Sequence, residues 1–197
     1  MGACKRQKLC LIVYLKNTIK YLNYLIKAKG RHGTHSPFVY AFVEEVLHDR
    51  RHFYVEQQLA EASAQSGYEA PLIRSIFKTI LYLKPEVTVL QGNTFKLKKI
   101  AQSAHRQMPI GPDIDTFLSA NNPLIIIDSK DVTSPDIIEI QQRCAQFAIL
   151  LLFPHQMESH WEQLISNPTF QTTLDCWNFG LLVANPAFKA KQHFYVR

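Results

Sequence analysis

At 197 residues, 47% of them hydrophobic and 19% charged, the chain is long enough for one ordinary globular domain and too short for two full-sized ones. Seven Gly and ten Pro exclude collagen-like and low-complexity classes, and Cys4, Cys10, Cys144 and Cys176 form no CxxC pair and have no His at zinc-finger spacing, so the expected setting is a reducing cytoplasm without disulfide framework or structural metal. The net charge of +6 is local: eight basic residues and no acidic one precede Glu44, while the remaining positions hold 14 basic and 16 acidic residues, which argues against a nucleic-acid partner and gives the N-terminus an arm suited to something anionic.

In that arm Lys5, Arg6 and Lys8 precede a seven-residue apolar run, 9–15, which Lys16 ends. No small-x-small cleavage site follows, a span would need about 20 apolar residues, and the first residues lack the Ser or Thr of a myristoylation signal. Over 11–28 the polar residues Lys16, Lys20, Asn23 and Lys27 recur at steps of four, three and four, which predicts a helix with one basic stripe in a coat of Leu, Ile and Tyr. Two readings stay open. Residues 5–31 attach peripherally to an anionic membrane surface, at the inner face of the membrane, or the broad apolar face packs on the domain and the lysines are simply solvated. Next, Ser36 suits a helix N-cap and Pro37 the first helical position, and Phe38, Phe42 and Val46 carry that helix to about residue 49. His32 and His35, in a turn without a nearby carboxylate, are weak evidence for a metal site and suit local hydrogen bonding.

Leu72, Ile76, Phe77, Ile80 and Leu83 mark a helix that Pro85 stops. The pattern then predicts a strand over 87–90, a helix over 95–105, a strand over 124–128, a helix over 135–146, a strand over 147–153 and a helix over 157–165, with further strands over 172–175 and 179–184. Strands that are nearly continuous apolar runs, alternating with helices, indicate a mostly parallel sheet covered on both faces. The chain is thus divided into an N-terminal helical region, 1–70, and a sheet domain, 71–197.

The run Ala28-Lys29-Gly30-Arg31-His32-Gly33-Thr34-His35-Ser36-Pro37-Phe38-Val39-Tyr40 resembles the N-terminal signature of a bacterial family of class I S-adenosylmethionine-dependent methyltransferases of Bacteroidetes type. Asn178-Phe179-Gly180-Leu181-Leu182-Val183 and Lys191-Gln192-His193-Phe194-Tyr195-Val196-Arg197 are similar to that family's closing strands. The resemblance implies a Rossmann-like α/β fold with antiparallel C-terminal edge strands, and S-adenosylmethionine as cofactor. It covers residues from about 20 to 197 and is more specific at its ends than in the middle, where the family keeps the cofactor.

Ligands of open α/β sheets bind beyond the carboxyl ends of the strands, where a Gly-rich turn lets backbone N–H groups approach. Here that turn is Leu90-Gln91-Gly92-Asn93-Thr94-Phe95-Lys96. The family's acid near the end of this strand falls on Leu90 and its second glycine on Lys96, and Gly92 alone has an adequate explanation as a tight turn. Asp113 and Asp115 stand about 20 residues on, where an acid would hold the ribose hydroxyls, but in a Pro- and Gly-bearing stretch that discourages a central strand. Asp115 also suits the N-cap of a short helix reaching residue 120. Only 36 positions separate Gly92 from Asp128, too few for two further strands with their crossover helices. A strand-helix-strand portion is therefore read as lost, leaving 107–123 as a strap over the open sheet edge. The strand ending at Asp128 keeps its acid but continues with Ser129 in place of Gly. The next runs into Pro154-His155 where metal-dependent relatives carry paired acids, so no hard-cation site is expected. His155 and His160 suit a base, a substrate contact or ordinary packing.

These observations place any cofactor-binding residues at Gly92, Asn93, Thr94, Asp115 and Asp128 and name no catalytic residue or metal. They point to a methyltransferase-like protein with weakened or lost cofactor binding that acts as a binding or interaction module for a small molecule or protein, with a homodimer as one way of completing the shortened sheet. The alternative is an active S-adenosylmethionine-dependent methyltransferase on an unknown small-molecule or macromolecular acceptor.

Overall fold

A computed structural model describes residues 2–30, 35–105, 108–111, 120–131 and 144–197, of which 2–14, 92, 95 and 131 by their backbone. His32, Asp113, Asp115 and all but the last three positions of the helix expected over 135–146 lie outside the described residues. The strands are β1 (Thr88–Gln91), β2 (Ile110–Gly111), β3 (Leu124–Asp128), β4 (Phe147–Leu152), β5 (Thr172–Asp175), β6 (Phe179–Ala184) and β7 (Gln192–Tyr195). They form one sheet in the order β2-β1-β3-β4-β6-β5-β7. β1, β3 and β4 are parallel neighbours, with Leu90 opposite Ile126 and Ile126 opposite Leu150. β6 runs against both β4 and β5, giving the expected antiparallel C-terminal pair, and β7 lies parallel to β5 at the outer edge. This is a Rossmann-like, mostly parallel α/β sheet.

The continuous apolar runs arise because both faces of the sheet are covered. Successive side chains alternate between faces. Leu90, Ile126, Leu150, Leu152 and Leu181 pack against helix residues including Phe42, Ile73, Ile76, Phe77 and Ile100. Val89, Ile125, Ile127, Ile149, Leu151 and Leu182 pack with Trp161 and Leu164 on the opposite face. Each such side chain, removed from water, contributes about 1.5–3 kcal/mol before the entropy of ordering is counted.

The helices are α1 (Gly2–Lys27), α2 (Pro37–Phe42), α3 (Glu56–Ser66), α4 (Ala70–Leu83), α5 (Lys98–Ala104) and α6 (Glu158–Ser166). Ser36 caps α2, its Oγ accepting from Val39 N at 3.5 Å, with Pro37 at the first position. Instead of continuing as an α-helix to residue 49, the chain widens into a π turn over Val43–Leu47, which keeps Val43 and Val46 buried against the sheet core. α4 ends at Lys84, which takes a left-handed conformation (φ 47°) and donates its N–H to the Ile80 carbonyl before Pro85 forbids another turn. The helix expected from residue 95 begins as a 3₁₀ turn over Gly92–Leu97 and becomes α5. Buried residues of 39–68 share one core with the sheet.

The edge of β1 does not stay bare. Ile110 and Gly111 pair with Thr88 and Val89 in parallel, so the stretch from 107 supplies the expected cover as a two-residue strand. Pro109 accepts from Thr88 N at 3.0 Å. A strand this short fits the edge position that Pro and Gly permit.

Candidate functional site at the carboxyl edge of the sheet

β1, β3, β4 and β5 all point their carboxyl ends to one side, and the polar side chains of interest gather there in two groups. In the first, Gly92, Asn93 and Thr94 form the turn after β1 and Asp128 ends the neighbouring β3. Thr94 is fully buried, its hydroxyl 2.7 Å from the Gln91 carbonyl and 3.0 Å from that of Ile126. The single hydroxyl hydrogen serves one carbonyl at a time, and the residue staples the β1 turn to β3. Asp128 is only 2% exposed. Its Oδ1 accepts from Lys130 N at 3.0 Å and its Oδ2 from the Tyr68 hydroxyl at 2.8 Å. That hydroxyl in turn accepts from Asn93 Nδ2 at 3.2 Å.

Tyr68 reaches this position because Gly67 ends α3 with a positive φ of 77°, which reverses the chain without the steric cost of a Cβ. The structure therefore brings Asn93, Thr94 and Asp128 together with the backbone of Gly92, as the spacing suggests. Leu90, where the sequence resemblance would put an acid, is fully buried in the core.

The second group lies beyond β4 and β5. Asp175 ends β5 with its side chain 1% exposed. Its Oδ1 accepts from His155 Nε2 at 3.0 Å and from Trp177 N at 2.9 Å, and its Oδ2 accepts from Trp161 Nε1 at 3.2 Å. Burying a carboxylate this deeply is tolerable only with such donors. Trp161 reaches it by lying across Gly180, the register partner of Asp175 on β6. A Cβ at Gly180 would sit 2.3 Å from the indole Cη2.

His155 stacks on Trp177 with centroids 4.4 Å apart. Trp177 and Phe153 both hold left-handed backbone conformations (φ 65° and 54°), which cost of order 1 kcal/mol or more each and persist only where surrounding contacts fix them. With α1 as a further wall, there is an open cavity of about 300 Å³ lined by Asn17, Lys20, Phe153, His155, Trp177 and Asn178 among others. Tyr24 of α1 packs beside Trp177 and His155 at 5.4 and 6.2 Å between centroids. Burial, with Cys176 and Asp175 nearby, pushes the Tyr24 phenol well above its ordinary range, so it remains the donor it is to the Val196 carbonyl.

Chemically the two groups differ. An imidazole whose Nε2 meets a buried carboxylate is held in one orientation with Nδ1 turned to other partners, the arrangement of an oriented base or ligand contact. Nδ1 of His155 makes no hydrogen bond among the described residues. His160 sits on α6. Among the described residues no cluster of three or more His, Cys, Asp and Glu side chains could hold a metal ion.

The sequence alone does not single out Tyr68, Asp175 or Trp177. One signal was available for Asp175: like Leu124–Asp128, the stretch Thr172–Asp175 is a fully buried strand that ends in an acid.

No family model matches the sequence, and no curated protein matches it. Among solved structures, a methyltransferase from Geobacter sulfurreducens is similar with a TM-score of 0.42 and 11% identity, covering 76% of this chain and all of that one. The fold assignment stands on the strand order and direction described above.

Proposed function

We propose that the chain is a methyltransferase-like Rossmann protein in which binding of S-adenosylmethionine is weakened or lost and which works as a binding or interaction module. The observation that carries this reading is the Asn93–Tyr68–Asp128 chain of hydrogen bonds. The side chains that would reach for a cofactor beyond β1 and β3 are spent on each other, and Asp128 has both oxygens engaged while buried. The described residues fit the cofactor poorly in other ways: Leu90 stands where an acid would be and Lys96 where a second glycine would let the backbone approach. Methyl transfer asks chiefly for alignment of sulfur, methyl and acceptor, so losing the groups that position the cofactor removes more than losing one acid or base.

Calorimetric titration of the full chain with S-adenosylmethionine tests the reading. No heat of binding up to about millimolar ligand is expected, whereas a Kd tighter than about 100 μM would overturn the proposal in favour of an active methyltransferase.

A further inference from the structure

α1 does not bury the apolar face its sequence advertises. It is fastened to the sheet end by the buried Tyr24, with Ala28 buried just beyond its last residue, and to α6 by an ion pair from Lys20 to Glu158. Leu15, Ile19, Leu22 and Ile26 remain 50%, 57%, 53% and 83% exposed. Their spacing of four, three and four places them in one line along the helix. Among the described residues seven large hydrophobic side chains are exposed, and five of them, Tyr21 included, belong to α1. The ridge is therefore a concentrated feature rather than the scattered exposure usual on protein surfaces.

Lys16, Lys20, Asn23 and Lys27 run along its flank, about a quarter turn away at roughly 100° per residue. Lys5, Arg6 and Lys8 belong to the same helix by its backbone, and no acidic residue occurs before Glu44.

From this ridge and its flank we infer that α1 is a docking surface for an anionic phospholipid bilayer, its apolar line entering the acyl boundary while the basic residues not tied to the domain, Lys16 among them, meet phosphate headgroups. A second copy of the chain is the competing occupant, since the spacing also suits a coiled-coil seam. The flanking positions of such a seam would be Lys16 and Asn23 on one side and Thr18 and Leu25 on the other, which offer no opposite charges across the pair. An anionic surface supplies the missing charge. α1 is not a membrane span, because no helix among the described residues is long and apolar enough to cross one. The inference is independent of the proposed function, as a chain that bound the cofactor would carry the same ridge.

The test is co-sedimentation of the full chain with vesicles of equal parts phosphatidylglycerol and phosphatidylcholine, and with phosphatidylcholine alone. Binding to the anionic vesicles should be at least about tenfold tighter and should weaken in high salt. The double substitution Leu22→Gln/Ile26→Gln, at exposed positions, should abolish binding while leaving the melting temperature unchanged. Lys16→Glu should weaken it separately, so a misfolded double variant would not decide the matter. Equal binding to both vesicles, or no binding, would overturn the inference. So would a dimer by light scattering that Leu22→Gln/Ile26→Gln dissociates.

Discussion

The two ends of the carboxyl edge treat the same kind of residue in opposite ways. Asp128 and Asp175 each finish a buried strand, and each is almost completely removed from water. Asp128 meets one hydroxyl and one backbone N–H, and the tyrosine that supplies the hydroxyl also accepts from Asn93. Asp175 meets three N–H donors, one of them from a histidine whose other face lines an open cavity. A buried carboxylate thus serves either as an end point, consumed in holding two elements together, or as a support that orients another side chain at a cavity wall. Which role it takes is decided by the partner that arrives from elsewhere in the chain.

The sharpest way to break this contrast is at Gly180. Gly180→Val places branched atoms where the Trp161 indole lies, displacing a rigid buried plate and its hydrogen bond to Asp175. A loss of about 3 kcal/mol is expected in denaturant unfolding. Stability within a few tenths of the parent would mean that Trp161 does not hold the second group.

Asp175→Asn and Asp128→Asn compare the two carboxylates directly. Asparagine has one acceptor oxygen and two donors. Facing three N–H groups at position 175 it leaves donors opposed, and about 2 kcal/mol should be lost. At position 128 its oxygen can accept from Lys130 N while its amide donates to the Tyr68 hydroxyl, so the cost should stay below about 1 kcal/mol. Equal losses by chemical denaturation would erase the distinction.

A smaller effect should appear with pH on the strand beside Asp175. His193 of β7 shares Nδ1 with Thr173 Oγ1 at 2.8 Å, and its Nε2 is buried without a hydrogen-bond partner among the described residues. Burial pushes its pKa below the ordinary 6.5, with Asp175 opposing and Lys191 and Lys27 adding to the shift. The unfolded chain then takes up this proton at higher pH than the folded one. The favourable margin is therefore complete above about 6.5 and shrinks as pH falls through that value. Melting temperatures should decline from about pH 7 to pH 5, and His193→Asn should flatten the decline. Parallel profiles for parent and variant would place the titrating group elsewhere.

Much of the scaffold was legible because its strongest signals are local. Ile125, Ile126 and Ile127 can only belong to a strand covered on both faces, and the same holds for Phe147–Leu152 and Phe179–Ala184. The parallel pairing of β1 with β3 follows from their sequential βαβ order. β2 was covered by the expectation of a strap but not readable as a strand, since two residues between Pro109 and Pro112 carry no periodicity. α3 was unannounced because Leu59 and Ala62 are too sparse an apolar face to stand out.

The site was less legible because its meaning lies in partnerships across the chain. Asn93, Thr94 and Asp128 could be named from their turn and strand end. That Tyr68, sixty residues before Asp128, would link it to Asn93 has no local signature. His155 looked like an isolated histidine for the same reason: its carboxylate is twenty residues away at the end of β5.

The fastening of α1 has a consequence for the order in which the chain takes shape on the ribosome. Tyr24 donates to the Val196 carbonyl, Lys29 N to that of Tyr195 at 2.8 Å, and the Lys27 ammonium lies 5.2 Å from the Tyr195 ring. Every one of these partners is translated more than 160 residues after the residue of α1, or just beyond it, that it holds. During synthesis, which proceeds at about 5–20 residues per second, α1 spends several seconds with neither its docked face nor its apolar ridge covered. A helix made so long before its partners is thus among the last elements to be seated, and through that interval both of its apolar faces are open to chaperones, to other nascent chains or to a lipid surface.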